Sequence, residues 1–219
     1  MSENSNHGQV ANGESSMIVA EEILSFWFGE LGPDATTEAT AGKCQHELWW
    51  GKQAATDEEI GARFAAALAA AGAGELEHWR EAARSELALI IILDQFSRTI
   101  HRGSARAFAY DDQALAACQE GVARGADRQL RHLERVFFYL PLEHAESLDC
   151  QNESVALYTD LLREAPAALG EVLRANLDFA RRHRDVIEKF GRFPHRNELL
   201  GRSSSPEELG YLAQPDSGF

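Results

Sequence analysis

Cysteine is scarce in this 219-residue chain: Cys44, Cys118 and Cys150 are widely spaced, odd in number and form no CxxC pair. That usage excludes a disulfide scaffold and a cysteine-built zinc site, and it fits a reducing compartment. Basic residues are also in deficit, 21 Lys and Arg against 35 Asp and Glu, for a formal net charge of -14. A general nucleic-acid binder needs a basic face to displace phosphate counterions, so no nucleic-acid partner is expected. Long apolar runs are absent too. The longest, LALIIIL at 87–93, falls far short of the ~20 residues that span a bilayer, so no membrane association is expected. The first seventeen residues, MSENSNHGQVANGESSM, have neither the basic nor the apolar region of a secretory signal. Residues 1–16 read as a disordered tail, and the expected location is the cytoplasm. There is no Gly-rich phosphate loop, no Ser nucleophile elbow and no HExxH motif, so no cofactor and no metal site are expected. The one clear Glu-x-x-His, Glu75 to His78, lies in a loop-like stretch, whereas a di-iron bundle needs two such pairs and two further Glu.

Helix signals recur along the chain and strand signals almost never do. Val19, Ile23, Leu24, Trp27 and Phe28 form a helical stripe that Gly29 stops. The Gly-, Thr- and Ala-rich stretch 29–43 reads as a loop. Thr56 with Glu59, and Ser205-Pro206 with Glu208, read as capping boxes that open helices. SELALIIILDQFSRTIHRG is apolar all round, which marks it as the central, most buried helix. Later helices carry Leu115, Cys118 and Val122, then Leu133, Phe137 and Leu140 up to a kink or stop at Pro141. Two more are expected over about 149–164 and from Pro166 to Gly191. The sum is an all-α fold of about eight helices, one domain over 17–219.

Polar residues at interior positions are the candidates for chemistry. Asp94, Gln95 and Arg98 interrupt the most apolar helix, and Asp94 and Arg98 stand at i and i+4, where they can pair. Glu143, His144 and Glu146 sit beside the proline break, and Asn176 and His183 fall on an otherwise apolar stripe. Between Arg181 and Arg196, six Arg or Lys face only Asp185 and Glu188, the largest local charge anomaly in an acidic chain. It runs into GRFPHRN, residues 191–197, for which two readings compete. In one, Gly191 caps a helix, Phe193 and Pro194 fix a turn, and Arg192 and Arg196 pair with Glu143 and Glu146. In the other, the planar guanidinium forks form an anion site.

ILSFWFG (23–29), LALIIILDQFSRTIHRG (87–103), FFYLPLEHAES (137–147) and FARRHRDVIEKFGRFPHRNELLGR (179–202) resemble, in order along the chain, the bacterial family of unknown function DUF924. The resemblance implies a tetratricopeptide-like superhelix of antiparallel helix pairs and no particular activity. Its motif positions map onto Asp94, Gln95, Arg98, Glu143, His144, His183, Arg192, Phe193, His195, Arg196 and Asn197. Where the family usually has Pro and Asn, this chain has Ser97 and Thr99. Two functions are carried forward. One is a binding module for a peptide or protein partner on a concave helical face. The other is a small-molecule enzyme or binder whose pocket gathers Asp94, Arg98, His144, His183 and Arg192 around an anionic ligand. Convergence of those side chains on a cavity would favour the second.

Overall fold

The structure, a computed structural model, describes residues 19–31 and 34–215. The expected tail at 1–16 lies outside the described residues. Among those described the chain is all-helical, with nine helices in one domain. They are α1 (19–28), α2 (Ala35–Trp50), α3 (Ala54–Gly72), α4 (83–100), α5 (Asp111–Arg124), α6 (His132–His144), α7 (Leu148–Glu164), α8 (Gly170–Phe190) and α9 (Pro206–Leu212).

Helix α4 is the centre. Every residue from Leu87 to Leu93 is at most 2 % exposed, and the helix packs on α3, α5 and α6. It is an α segment, Ala83–Ile91, then a π turn, Ile92–Phe96, then a last α segment, Ser97–Ile100. A π turn inserts one residue and rotates the side chains that follow. Here it falls on Asp94 and Gln95, the first polar residues of the run. Ser97, one of the two departures from the family pattern, donates its hydroxyl to Ala107 O at 3.0 Å and ties the following 3-10 turn to α4.

An aromatic cluster closes the other side of the core. Phe137 on α6 meets Trp27 and Phe28 of α1 and Trp49 and Trp50 of α2, with ring centroids 5.5, 5.4, 4.8 and 5.8 Å away. Trp49 Nε1 donates to Trp27 O at 2.7 Å, which locks α2 to α1.

Three expectations are corrected. The supposed loop at 29–43 is mostly helix α2, opened by an Asp34 capping box. Its buried face includes Ala41 and Gly42, and a Cβ on Gly42 would meet Leu133 Cδ1 at 2.9 Å. Close packing by small residues leaves no apolar stripe to read. Thr56 does not open α3, which starts at Ala54 with no side-chain cap, because Ala54 and Ala55 already favour helix. Of the kink or stop expected at Pro141 the stop is absent, since α6 runs on to His144 with the proline inside it. The Ser205 box, by contrast, is present in full, and Gly29, Gly125 and Gly191 end their helices at positive φ.

Candidate functional site

Helix α6 ends in the interior, so its last carbonyls need donors. Gln151 Nε2 supplies them, donating to Glu143 O at 2.6 Å and Ala145 O at 2.8 Å. The cap holds Glu143 and His144 against α4 and α8. The Nδ1–H of His144 donates to Asp94 Oδ1 at 2.8 Å. The donor role follows from Asp94, which as an ionised carboxylate can only accept. Gln95 Nε2 donates to the other oxygen, Asp94 Oδ2, and Arg98 Nη1 lies 3.1 Å from Oδ1.

Burial works against the charge on Asp94, but Arg98, His144 and Gln95 outweigh it and hold the carboxyl well below its usual range. Burial lowers the pKa of His144, with Asp94 opposing. The ring is therefore neutral at pH 7, with Nδ1 tied to Asp94 and the Nε2 lone pair as its basic end. Its side chain remains 16 % exposed, on the cavity side.

A second histidine repeats the arrangement. His183 Nδ1 donates to Phe179 O at 2.9 Å and lies 3.1 Å from Glu143 Oε1. Burial drives His183 well below 6.5, and burial with the Asp94 charge pushes Glu143 up to about 8, so both are neutral at pH 7.

The cationic side of the site is built on Asp111, at the start of α5. Arg98 donates to both its oxygens, at 2.9 and 3.0 Å, and Arg196 Nη1 reaches Oδ2 at 3.3 Å. Arg196 is 6 % exposed and lies over the rings of Phe108 and Phe193, 4.8 and 4.6 Å from their centroids. Its Nε is buried with no hydrogen-bond partner. Burial and the neighbouring Arg98 bring its pKa down to about 10, so the charge is kept.

These groups surround a cavity of about 350 Å³ lined by Gln95, Arg98, His144, His183, His195 and Arg196, with Trp27, Trp49, Trp50 and Phe108 as its apolar wall. Lys52 and a bidentate Asp57–Arg102 pair, at 2.6 and 2.8 Å, also line it. Burial and Arg196 lower His195 to about 4. A second cleft, about 420 Å³ beside residues 24–31, is walled by Arg84, Arg131 and Glu134 and touches none of the candidate residues. Among the described residues no group of three His, Cys, Asp or Glu is arranged to hold a metal ion, and no helix is long and apolar enough to cross a membrane.

Of the residues singled out in the sequence, the structure thus brings Asp94, Gln95, Arg98, Glu143, His144, His183, His195 and Arg196 together. Arg192 and Asn197 lie elsewhere. Arg192 forms a bidentate pair with Glu208, at 2.7 and 2.9 Å, and braces α9. Asn197 bonds Ser204 and Arg202 within the turn. The expected clamp of Arg192 and Arg196 onto Glu143 and Glu146 is corrected as well. Glu146 is clamped, but by Arg202, at 2.6 and 2.9 Å, and by the Phe193 backbone N–H at 2.8 Å. Asp111 was not legible as a site residue, because an acid in a helix's first turn looks like an ordinary dipole partner. Arg202 lay just past the basic island.

A double-mutant cycle checks this wiring. Arg202 with Glu146 is expected to couple by about 1 kcal/mol, as a bidentate pair one quarter exposed, and Arg192 with Glu143 by nearly zero. Equal couplings would contradict the geometry.

The neutral Glu143 carries a pH signature. In the unfolded chain its proton leaves above about 4.5; in the folded protein it stays until about 8. The group therefore favours folding below pH 4.5, and that contribution is lost as pH rises to 8. Glu143→Gln removes the dependence. The variant should gain on the wild type steadily from pH 4.5 to 8, by on the order of a few kcal/mol, in urea unfolding at several pH values. The histidines, which lose stability as pH falls through 6.5, are common to both proteins and cancel in the difference. A difference independent of pH would mean that Glu143 is ionised in the fold.

The family described as "Bacterial protein of unknown function (DUF924)" matches residues 23–216. A solved structure of a protein of unknown function from Agrobacterium tumefaciens, ATU0120, is 37 % identical, with a TM-score of 0.76 over 90 % of this chain and 98 % of that one. No curated protein matches the chain significantly.

Proposed function

This chain belongs to the DUF924 family of bacterial proteins of unknown function, and from that premise we propose a small-molecule site that binds an anion and exchanges a proton with it. One observation carries the reading: three neutral histidines, the buried Arg196 and the half-buried Arg98, drawn from distant parts of the chain, meet on one cavity. His144, oriented by Asp94, is the general base, since a neutral imidazole with its Nδ1–H on a carboxylate directs its lone pair the other way. Arg196 is the anion-binding residue. Arg98 is a positioning residue that neutralises Asp94 and Asp111. Glu143 and His183 form the neutral floor, which keeps further charge away from His144.

A peptide-binding face on a tetratricopeptide-like superhelix has less support, because the polar residues gather around one cavity and are not strung along a groove. A cytoplasmic location goes with the free state of Cys44, Cys118 and Cys150.

The test is a thermal-shift panel of small carboxylates, phosphates and sulfates against the full chain, since a bound ligand raises stability by mass action. At least one anion should raise the midpoint. The rise should be lost in Arg196→Lys, and binding heats in two buffers should show proton uptake near pH 7 that His144→Gln abolishes. A panel with no effect, or shifts unchanged in Arg196→Lys, overturns the proposal.

A further inference from the structure

Two residues that line the cavity, Arg196 and Trp27, 6 % and 2 % exposed, each carry a buried N–H donor, Nε and Nε1, that no protein acceptor satisfies. Buried donors in native proteins almost always have partners, so an unpaired one in a cavity wall calls for an acceptor from outside the chain. The setting of Arg196 narrows what that acceptor is. Its guanidinium carbon lies over the rings of Phe108 and Phe193, and a planar guanidinium donates its N–H groups in its own plane. Nη1 is engaged by Asp111. The edge bearing Nε is the one left, and an in-plane edge of a guanidinium matches the two coplanar oxygens of a carboxylate.

Charge sets the sign. The cavity's cations are Lys52, Arg98, Arg102 and Arg196. Against them stand Asp57, Asp94 and Asp111, while Glu143 and the three histidines are neutral at pH 7. One positive charge is left over before any proton is taken up at His144, so the cavity favours an anion. The remaining wall is aromatic. Trp49 and Trp50 line the cavity, Trp49 held by its bond to Trp27 O and Trp50 stacked on Phe137 at an interplanar angle of 16°. Flat indole faces reward a flat partner.

We propose that the ligand is a planar monocarboxylate, an aromatic or conjugated acid, with its carboxylate on the Nε edge of Arg196 and its ring against the Trp49–Trp50 wall. The inference rests on the anion site proposed above and names its ligand class.

Calorimetric titration of the full chain with four probes tests it: benzoate, cyclohexanecarboxylate, benzamide and inorganic phosphate. Benzoate should bind about tenfold tighter than cyclohexanecarboxylate, which has the charge without the flat ring, and than benzamide, which has the ring without the charge. Phosphate should not compete. Arg196→Lys should weaken benzoate about tenfold or more. Trp50→Leu, at a side chain 44 % exposed and so replaceable without loss of the fold, should weaken benzoate several-fold and leave cyclohexanecarboxylate unchanged. Phosphate or cyclohexanecarboxylate binding as well as benzoate, and lost in Arg196→Lys, overturns the planar class and leaves the anion site standing. If none of the four binds at millimolar concentration the planar class is overturned as well, and the wider anion panel decides separately on the site.

Discussion

Asp94→Ala should lower the unfolding free energy by about 3–5 kcal/mol, the cost of leaving buried charge without its partner. The carboxylate is 1 % exposed and serves three neighbours at once: the His144 Nδ1–H, the Gln95 amide and the Arg98 guanidinium. Removing it orphans two buried donors. It also leaves Arg98 and Arg196 to share Asp111. Arg98 keeps its bidentate bond to Asp111, so the loss is not total, and Asp94→Asn, which retains an acceptor for His144, should cost less than Asp94→Ala. For a chain of this size the Ala variant's melting temperature should fall by roughly 6–20 °C. A variant that melts with the wild type would mean that Asp94 is not the counter-ion of the cluster. The same substitution frees His144 to turn, so it should also abolish the proton uptake on anion binding, even at temperatures where the variant is folded.

Phe137→Ala should cost a comparable amount, about 3–5 kcal/mol, for a different reason. Phe137 is 1 % exposed and contacts four aromatic side chains from two other helices. Truncation loses its transfer energy, leaves a cavity that rings of fixed shape cannot fill, and removes edge-to-face contacts worth about 0.5–1.5 kcal/mol each beyond burial. Phe137→Leu, which refills most of the volume, should recover more than half of the loss in chemical denaturation. Equal costs for Ala and Leu would show that the ring's shape matters and its volume does not. Because Trp27, Trp49 and Trp50 line the candidate site, the Ala variant should also bind benzoate more weakly while keeping the preference for a charged ligand. Charge recognition and the aromatic wall are thereby separable.

The elements legible in the sequence are those decided within a few residues along the chain. The Ser205 capping box, the Gly125 and Gly191 stops and the all-round apolar α4 were readable because capping bonds and helical periodicity act over three or four positions. The Asp94–Arg98 pair was readable for the same reason, being one turn apart. Helix α2 was not. It packs by Gly42 against Leu133, and closeness of that kind leaves no hydrophobic pattern behind.

The candidate site divides along the same line. The unusual polar residues of α4, α6 and α8 could be picked out singly, because each breaks a local apolar stripe. Which of them meet could not, since Coulomb attraction carries no sequence address and 35 acids were on offer to every arginine. Arg192 chose Glu208, and Arg202 took Glu146. Arg196 shared Asp111, 85 residues away. The local sequence determined the helices and the oddity of their polar residues. Only the packing of α4, α6 and α8, driven by apolar burial that is indifferent to which polar groups it brings along, decided that two arginines, three histidines and an aromatic wall face one cavity.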